Sequence, residues 1–165
     1  IFGWPFTAMV AVIGQDRLGL SPEGIGLLAS MDGVGAFAGA VLMALFARPA
    51  FYKTAYVGGV GVYCALMIGF ALLPSPLAAG TALMITGVGQ SGFSIMQATL
   101  VYLAAPPEMR SRILGVLSVC IGVGPIGFLH IGWLAGLLGA HWATALSGAE
   151  GLLALALTRR WWRRI

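Results

Sequence analysis

Residues 113–138 read ILGVLSVCIGVGPIGFLHIGWLAGLL, a run without lysine, arginine, aspartate or glutamate. As an α-helix this run would rise ~39 Å, which exceeds the ~30 Å hydrocarbon core of a bilayer. Lipid offers no hydrogen-bond partner to backbone amides, so an apolar run of this length crosses a membrane as a helix. The run therefore predicts a transmembrane helix.

The rest of the chain is similarly apolar. Of its 165 residues, 59% are hydrophobic and 8% are charged, and the mean hydropathy is +0.96. A soluble domain carries about 25% charged residues, which excludes that class. Disorder requires low hydrophobicity, and two cysteines cannot staple a chain of this length. We expect an integral membrane protein.

Six apolar segments divide the chain. They are 24–47, 55–73, 77–104, 113–138 and 143–158, preceded by a shorter run at 1–14. The first run would rise only ~21 Å and begins with Ile1 rather than methionine. We therefore expect a truncated first helix and a missing N-terminal half. The predicted fold is an all-α polytopic bundle of six transmembrane segments, in one domain over residues 1–165.

Eight of the nine basic residues lie in alternate connections and in the tail. They are Arg48, Lys53, Arg110, Arg112, Arg159, Arg160, Arg163 and Arg164, which leaves Arg17 on the opposite side. Positively charged short loops stay in the cytoplasm, so we expect a cytoplasmic C-terminus in a plasma membrane, the inner membrane of a bacterium. Charges at membrane boundaries predict lipid as a partner and no nucleic acid.

Glycine and proline positions predict packing and a hinge. Small residues four apart allow close helix contact in lipid, and such pairs are Gly35 with Gly39 and Gly132 with Gly136. Pro125 removes a backbone donor within the fifth segment, beside Gly124 and Gly127. We expect a kink or hinge there.

Three ionisable residues lie within the apolar segments: Asp32, His130 and Glu150. An ionisable side chain inside a membrane costs free energy, so each of the three is a functional candidate. Counted at 1.5 Å per residue from the nearest cytoplasmic arginine, Asp32 lies ~24 Å, His130 ~27 Å and Glu150 ~13 Å into the membrane. Asp32 and His130 should thus share a level, with Glu150 closer to the cytoplasm. We expect Asp32 to couple protons or to recognise a cation.

A polar stripe follows the fourth segment. Thr86, Gln90, Ser94 and Gln97 are spaced by four, four and three residues, which places them on one helical face. Gln90 falls at the level of Asp32 and His130, near enough to donate to Asp32 if these helices face each other. The alternative is that these side chains only join neighbouring helices.

Two stretches resemble a known family. They contain LGLSPEG at 18–24 and GVGA at 33–36, then PPEMRSR at 106–112 and GPIG at 124–127. They resemble the C-terminal half of major facilitator superfamily transporters, in the branch of enterobactin and macrolide exporters. The resemblance implies proton-coupled efflux of a small molecule by alternating access, between this half and the missing N-terminal half of the same chain. It implies no enzyme activity, cofactor or metal.

The family carries an acidic and basic gating motif in the loop after the second helix of each half. Here that loop contains Arg48 and Lys53 without an acidic partner, whereas Glu108, Arg110 and Arg112 follow the fourth helix and could pair. The candidate residues of the substrate and proton pathway are Asp32, Gln90, Ser94, Gln97, His130 and Glu150.

Two alternative functions remain. Gly89, Gln90, Ser91 and Gly92 match the serine motif of rhomboid intramembrane proteases, and His141 precedes the sixth segment. A serine nucleophile needs a base within hydrogen-bond reach and oxyanion donors. The second segment lacks the histidine and asparagine of that family. A non-transporting membrane scaffold is the other alternative.

Overall fold

The structure is a computed structural model that describes residues 2–162. Its helices are α1 (Phe6–Asp16), α2 (Pro22–Phe46), α3 (Tyr52–Leu72), α4 (Pro76–Ala104), α5 (Arg110–Ile121), α6 (Gly124–Leu138), α7 (Ala140–Leu157) and α8 (Arg159–Trp162). Single 3-10 turns lie at Pro49–Phe51 and Pro107–Met109. No β-strand occurs within residues 2–162, which confirms the predicted all-α class. Ile1, Arg163 and Arg164 lie outside the described residues.

Three helical stretches are long and apolar enough to cross a membrane, which indicates a membrane protein. They are Pro22–Phe46, Pro49–Leu72 and Pro107–Leu138. The other predicted segments correspond to α1, α4 and α7. Of these, α1 has only 11 residues, and polar side chains interrupt α4 and α7. Length and composition therefore support three of the six predicted spans by themselves.

Local sequence sets the helix boundaries. Both α2 and α4 begin with a Ser-Pro pair. In each pair the serine hydroxyl accepts a hydrogen bond from the backbone amide three residues later. For Ser21 and Ser75 the distance from that amide nitrogen to the hydroxyl oxygen is 3.3 Å. Proline suits the first helical turn because its missing N–H would have no partner there. Gly19 (φ 62°) and Gly139 (φ 83°) supply the positive φ that the turns before α2 and α7 require.

Helix α4 lies at the centre of the bundle, packed against α2 on one side and α3 on the other. Helix α3 also packs against α7, which contacts α6 and α1. The contacts of Gly35 with Met84 and of Gly39 with Val88 show that α2 and α4 run in the same direction. Phe6, Met67 and Phe70 are fully buried where α1 meets α3, with the rings of Phe6 and Phe70 5.3 Å apart edge to face.

Glycine brings the backbones of α2, α3 and α4 into contact. A Cβ on Gly35 would overlap the Met84 carbonyl, and one on Gly87 would overlap the Asp32 carbonyl. Between α3 and α4, a Cβ on Gly59 would lie 2.6 Å from the Gly89 carbonyl oxygen. Such small-residue contacts hold helices together where no hydrophobic force acts between them.

The corresponding expectation for Gly132 and Gly136 is wrong. A Cβ on either would meet no atom within 4 Å. The packed face of α6 is instead formed by its buried residues, which are Gly124, Gly127, Ile131 and Leu134. Residues four apart share a face whichever way that face points, so spacing alone cannot distinguish a packed face from an outward one.

The fifth predicted segment is interrupted between α5 and α6. The Gly122 amide still donates to the Ser118 carbonyl (2.9 Å), but the Val123 amide turns to Cys120 (3.4 Å). Helix α6 then restarts with Pro125 in its first turn. The interruption thus lies beside the predicted hinge, and a rocking motion about it stays a prediction.

We expect Gly35→Ala to lower the free energy of unfolding by about 1–3 kcal/mol, because the added methyl group would overpack the α2–α4 contact. Gly33→Ala is the matched control, since a Cβ there meets nothing within 4 Å. Alanine gains up to about 1 kcal/mol over glycine in a helix, so the control should be neutral or stabilising. Unfolding in mixed micelles by added SDS measures both variants. Equal stability of the two would contradict this contact.

Candidate functional site

Three of the four polar residues of the predicted stripe line a cavity. Gln90, Ser94 and Gln97 of α4 face a space of about 330 Å³. The remaining lining residues are Trp4, Tyr63, Phe93, Cys120 and Ile121. The cavity therefore combines neutral hydrogen-bonding groups with three aromatic rings.

The packing of α4 leaves this face open. Gly89 and Gly92 are buried against α3, and Ser91 is buried against α2, where its hydroxyl donates to the Ala36 carbonyl at 2.5 Å. Because both sides of α4 are occupied, the stripe of Gln90 and Gln97 points between them. The backbone contacts thus position the polar side chains.

The two glutamine amides of the cavity have no hydrogen-bond partner among the described residues, since none of the observed bonds involves Gln90 or Gln97. The Ser94 hydroxyl makes a long bond of 3.4 Å to the Ser91 carbonyl. Thr86 is different, because it is fully buried and donates to the Ala82 carbonyl at 2.8 Å. Of the predicted stripe, Thr86 thus faces neighbouring protein, whereas the other three residues face the cavity.

The interrupted helix forms one wall of the cavity. Cys120 and Ile121 come from the last turn of α5, next to the break at residues 122–123. On the far side of the break, the Trp4 ring lies against Gly124, where a Cβ would be only 3.0 Å from a ring carbon. A change at the break would therefore move both Trp4 and Cys120.

Asp32 lies on α2, at the point where its backbone carbonyl contacts Gly87 of α4. Its side chain is half-buried, and Oδ1 is buried without a hydrogen-bond partner among the described residues. Neither Gln90 nor His130 forms a hydrogen bond with Asp32 among the described residues. Gln90 faces the cavity, and His130 has another partner.

His130 pairs with Glu150 across α6 and α7. The His130 Nε2 atom lies 2.8 Å from Glu150 Oε2, with about 31% and 30% of the two side chains exposed. Within residues 2–162 this is the one contact between a basic and an acidic side chain, and it is an ion pair when the imidazole is protonated. The Phe2 ring lies edge to face with the imidazole, 6.3 Å between centroids.

The predicted difference in depth between His130 and Glu150 is therefore wrong. The count began at the cytoplasmic arginines, but the Gly139 turn that joins α6 to α7 sets the register of this helix pair. His130 lies nine residues before Gly139 and Glu150 eleven after it. The two residues thus lie ~14 and ~17 Å from the turn, at nearly one level.

The basic residues that follow the second and fourth predicted segments lie in different surroundings. Arg48 is exposed, whereas Lys53 lines a second cavity of about 290 Å³ that also borders Gln97. Arg110 donates to the Tyr102 hydroxyl (3.2 Å) and lies over its ring. Neither Arg110 nor Arg112 pairs with Glu108 among the described residues.

Arg17 has a role that sequence reasoning missed. Its guanidinium donates to the carbonyls of Ala71 and Leu72 at the C-terminus of α3, the latter at 2.9 Å. A cation is favourable at that end of a helix dipole. The available signal was that Arg17 is the one basic residue outside the connections and the tail that hold the other eight.

Two other kinds of site, a serine–histidine pair and a metal site, would each need particular side chains to lie together within residues 2–162. The hydroxyl of Ser91 donates to the Ala36 carbonyl in the α2–α4 contact. His141 lies beside Trp142 at the start of α7 and forms no hydrogen bond with Ser91. A serine–histidine arrangement is thus absent from residues 2–162. No group of three or more metal-ligating side chains occurs there either.

Comparison of the chain with models of protein families, with curated proteins and with solved structures found no match.

A double-mutant cycle tests the His130–Glu150 contact. For His130→Ala combined with Glu150→Ala, we expect a coupling energy of about 0.5–3 kcal/mol, because contacting residues are not additive. The control cycle combines His130→Ala with Asp32→Ala, and its effects should add within about 0.5 kcal/mol. SDS unfolding measures every variant. Strong coupling of His130 with Asp32, and none with Glu150, would contradict the contact and favour a position of His130 at the level of Asp32.

Proposed function

We propose that this chain is one six-helix half of a secondary active transporter, similar to the C-terminal half of a major facilitator. It exports small molecules in exchange for protons by alternating access. The cavity around Gln90, Ser94 and Gln97 carries this proposal. In such transporters the substrate site lies near the bilayer midplane, between two repeats.

The position of the polar residues supports this function. Gln90 is the fifteenth of the 29 residues of α4, so it lies halfway along that helix. An unpaired amide at that depth would be costly against lipid, which makes a cavity that admits water or substrate the favourable surrounding. A non-transporting scaffold gains nothing from two unpaired amides inside the membrane, so these amides favour a transporter.

The interrupted helix supports the same function. Discontinuous helices at membrane depth are tolerated where they line a cavity, and transporters use them at their binding sites. The break at residues 122–123 adjoins the cavity through Cys120 and Trp4. A rocking of α6 relative to α5 would change access to Gln90.

The proposal includes the arrangement in the membrane. All six predicted segments span it, with α4 and α7 sheltered from lipid by their neighbours. The basic connections face the cytoplasm together with the C-terminus, in a bacterial inner membrane. A second six-helix bundle from the same polypeptide closes the open side of the cavity. Asp32, whose Oδ1 has no partner, exchanges the coupled proton.

Everted membrane vesicles that contain the full-length protein test this function. A proton gradient should drive accumulation of at least one of three fluorescent dyes, one uncharged, one cationic and one anionic. A protonophore should abolish it. Asp32→Asn should abolish gradient-driven accumulation, because an amide cannot bind and release a proton. Asp16→Asn, at the exposed end of α1, is the matched control and should retain activity.

Two results would contradict parts of this account. Accumulation no faster than in vesicles lacking the protein, for all three dyes, would refute the transport function. If Asp32→Asn transports normally and only Glu150→Gln fails, the proton acceptor is the His130–Glu150 pair and Asp32 is a packing residue.

A further inference from the structure

We propose that the cavity on α4 binds planar, uncharged aromatic compounds that carry hydrogen-bonding groups along one edge. This inference rests on the proposed function for the fate of the ligand, which is export. It goes further by naming the chemical class that the site recognises.

The aromatic lining selects flat ligands. The rings of Tyr63 and Phe93 lie 6.4 Å apart at an interplanar angle of 64°, and both residues line the cavity, with Tyr63 only 5% exposed. Trp4 also lines the cavity and is 53% exposed. Aromatic pairs prefer offset or edge-to-face contacts with centroids about 4.5–7 Å apart, so a flat ring inserted here meets favourable partners.

The amides select hydrogen-bonding groups. Gln90 and Gln97 are seven residues apart on one face of α4, so their amides are ~10 Å apart along the helix. Each offers a carbonyl acceptor and two N–H donors without an internal partner. A ligand that carries both a donor and an acceptor satisfies such amides, whereas a pure hydrocarbon leaves them unpaired.

The charge distribution excludes ions. No aspartate, glutamate, histidine, lysine or arginine lines this cavity. Transfer of an unpaired ion into such a site is far costlier than transfer of a neutral amide. Of the charged side chains nearby, Lys53 shares the second cavity with Gln97, and Asp32 acts electrostatically on Tyr63. Their opposite charges favour neither a cation nor an anion. A neutral ligand is therefore favoured over both ions.

The cavity contains its own reporter. Cys120 is exposed and lines the site, whereas Cys64 is buried elsewhere. A ligand in the cavity should shield the Cys120 thiol from alkylation. In lipid nanodiscs with the full-length protein, the rate of Cys120 modification by N-ethylmaleimide is followed by peptide mass spectrometry, with Cys64 as the internal reference.

Four probes share one ring system and differ in the group they carry. Naphthalene-2-carboxamide is neutral with a donor and an acceptor, 2-ethylnaphthalene is apolar, 2-naphthyltrimethylammonium is cationic and naphthalene-2-carboxylate is anionic. The carboxamide should slow Cys120 alkylation by about tenfold at ten times its Kd. The other three probes should protect weakly or not at all at the same concentration.

Variants localise the binding. One of the two variants Gln90→Leu and Gln97→Leu should weaken protection by the carboxamide about three- to tenfold, because the single carboxamide group of the probe can bond to only one of two amides that lie ~10 Å apart. Gln15→Leu, at the exposed end of α1, is the matched control and should protect as the unchanged protein does. The probe comparison uses the unchanged protein, so it does not depend on the folding of any variant.

Absence of protection by the carboxamide, or equal or stronger protection by the cation, the anion or ethylnaphthalene, would overturn the assignment. Failure of the proposed function is a separate result: selective protection of Cys120 in a protein that moves no dye would leave a binding site without transport. Dye transport without selective protection would leave transport with a different substrate class.

Discussion

The contact of α4 with both α2 and α3 through glycine is the constraint on which the site depends. At Gly35, Gly59 and Gly87 the backbones approach so closely that no side chain fits between the helices. Two sides of α4 are thereby closed. The polar side chains of its third side, Gln90 and Gln97 among them, must face the space that remains.

That constraint also separates structural from functional polarity on α4. Ser91 is one residue from Gln90, yet its hydroxyl is buried in the contact with Ala36. Thr86 likewise bonds back to its own helix. Ser91 and Thr86 satisfy their hydrogen bonds within the protein, whereas the amides of Gln90 and Gln97 face the cavity without a partner among the described residues. Polar groups without a partner that face a cavity are where a ligand or water gains most.

Much of this fold could be predicted from the sequence, because apolar length and helical spacing are local properties. The segment 24–47 corresponds to α2, and the spacing of Gln90, Ser94 and Gln97 placed them on one face. Contacts between distant residues could not be read in the same way. The pairing of His130 with Glu150 depends on the Gly139 turn, and the aromatic lining depends on Tyr63 approaching α4 through Gly89.

The central claim is that one face of α4 lines an aqueous or substrate-filled pathway in the membrane. Single cysteines at Gln90, Ser94 and Gln97, in a protein whose native cysteines are replaced by alanine, should react with N-ethylmaleimide, a neutral reagent that attacks the thiolate and therefore needs a thiol in contact with water. Ile85 lies nine residues before Ser94, half a turn away on the opposite face, and is 52% exposed. Its cysteine variant should stay unreactive in lipid. Unreactive cysteines at all three cavity positions, or equal reactivity at Ile85, would contradict the account.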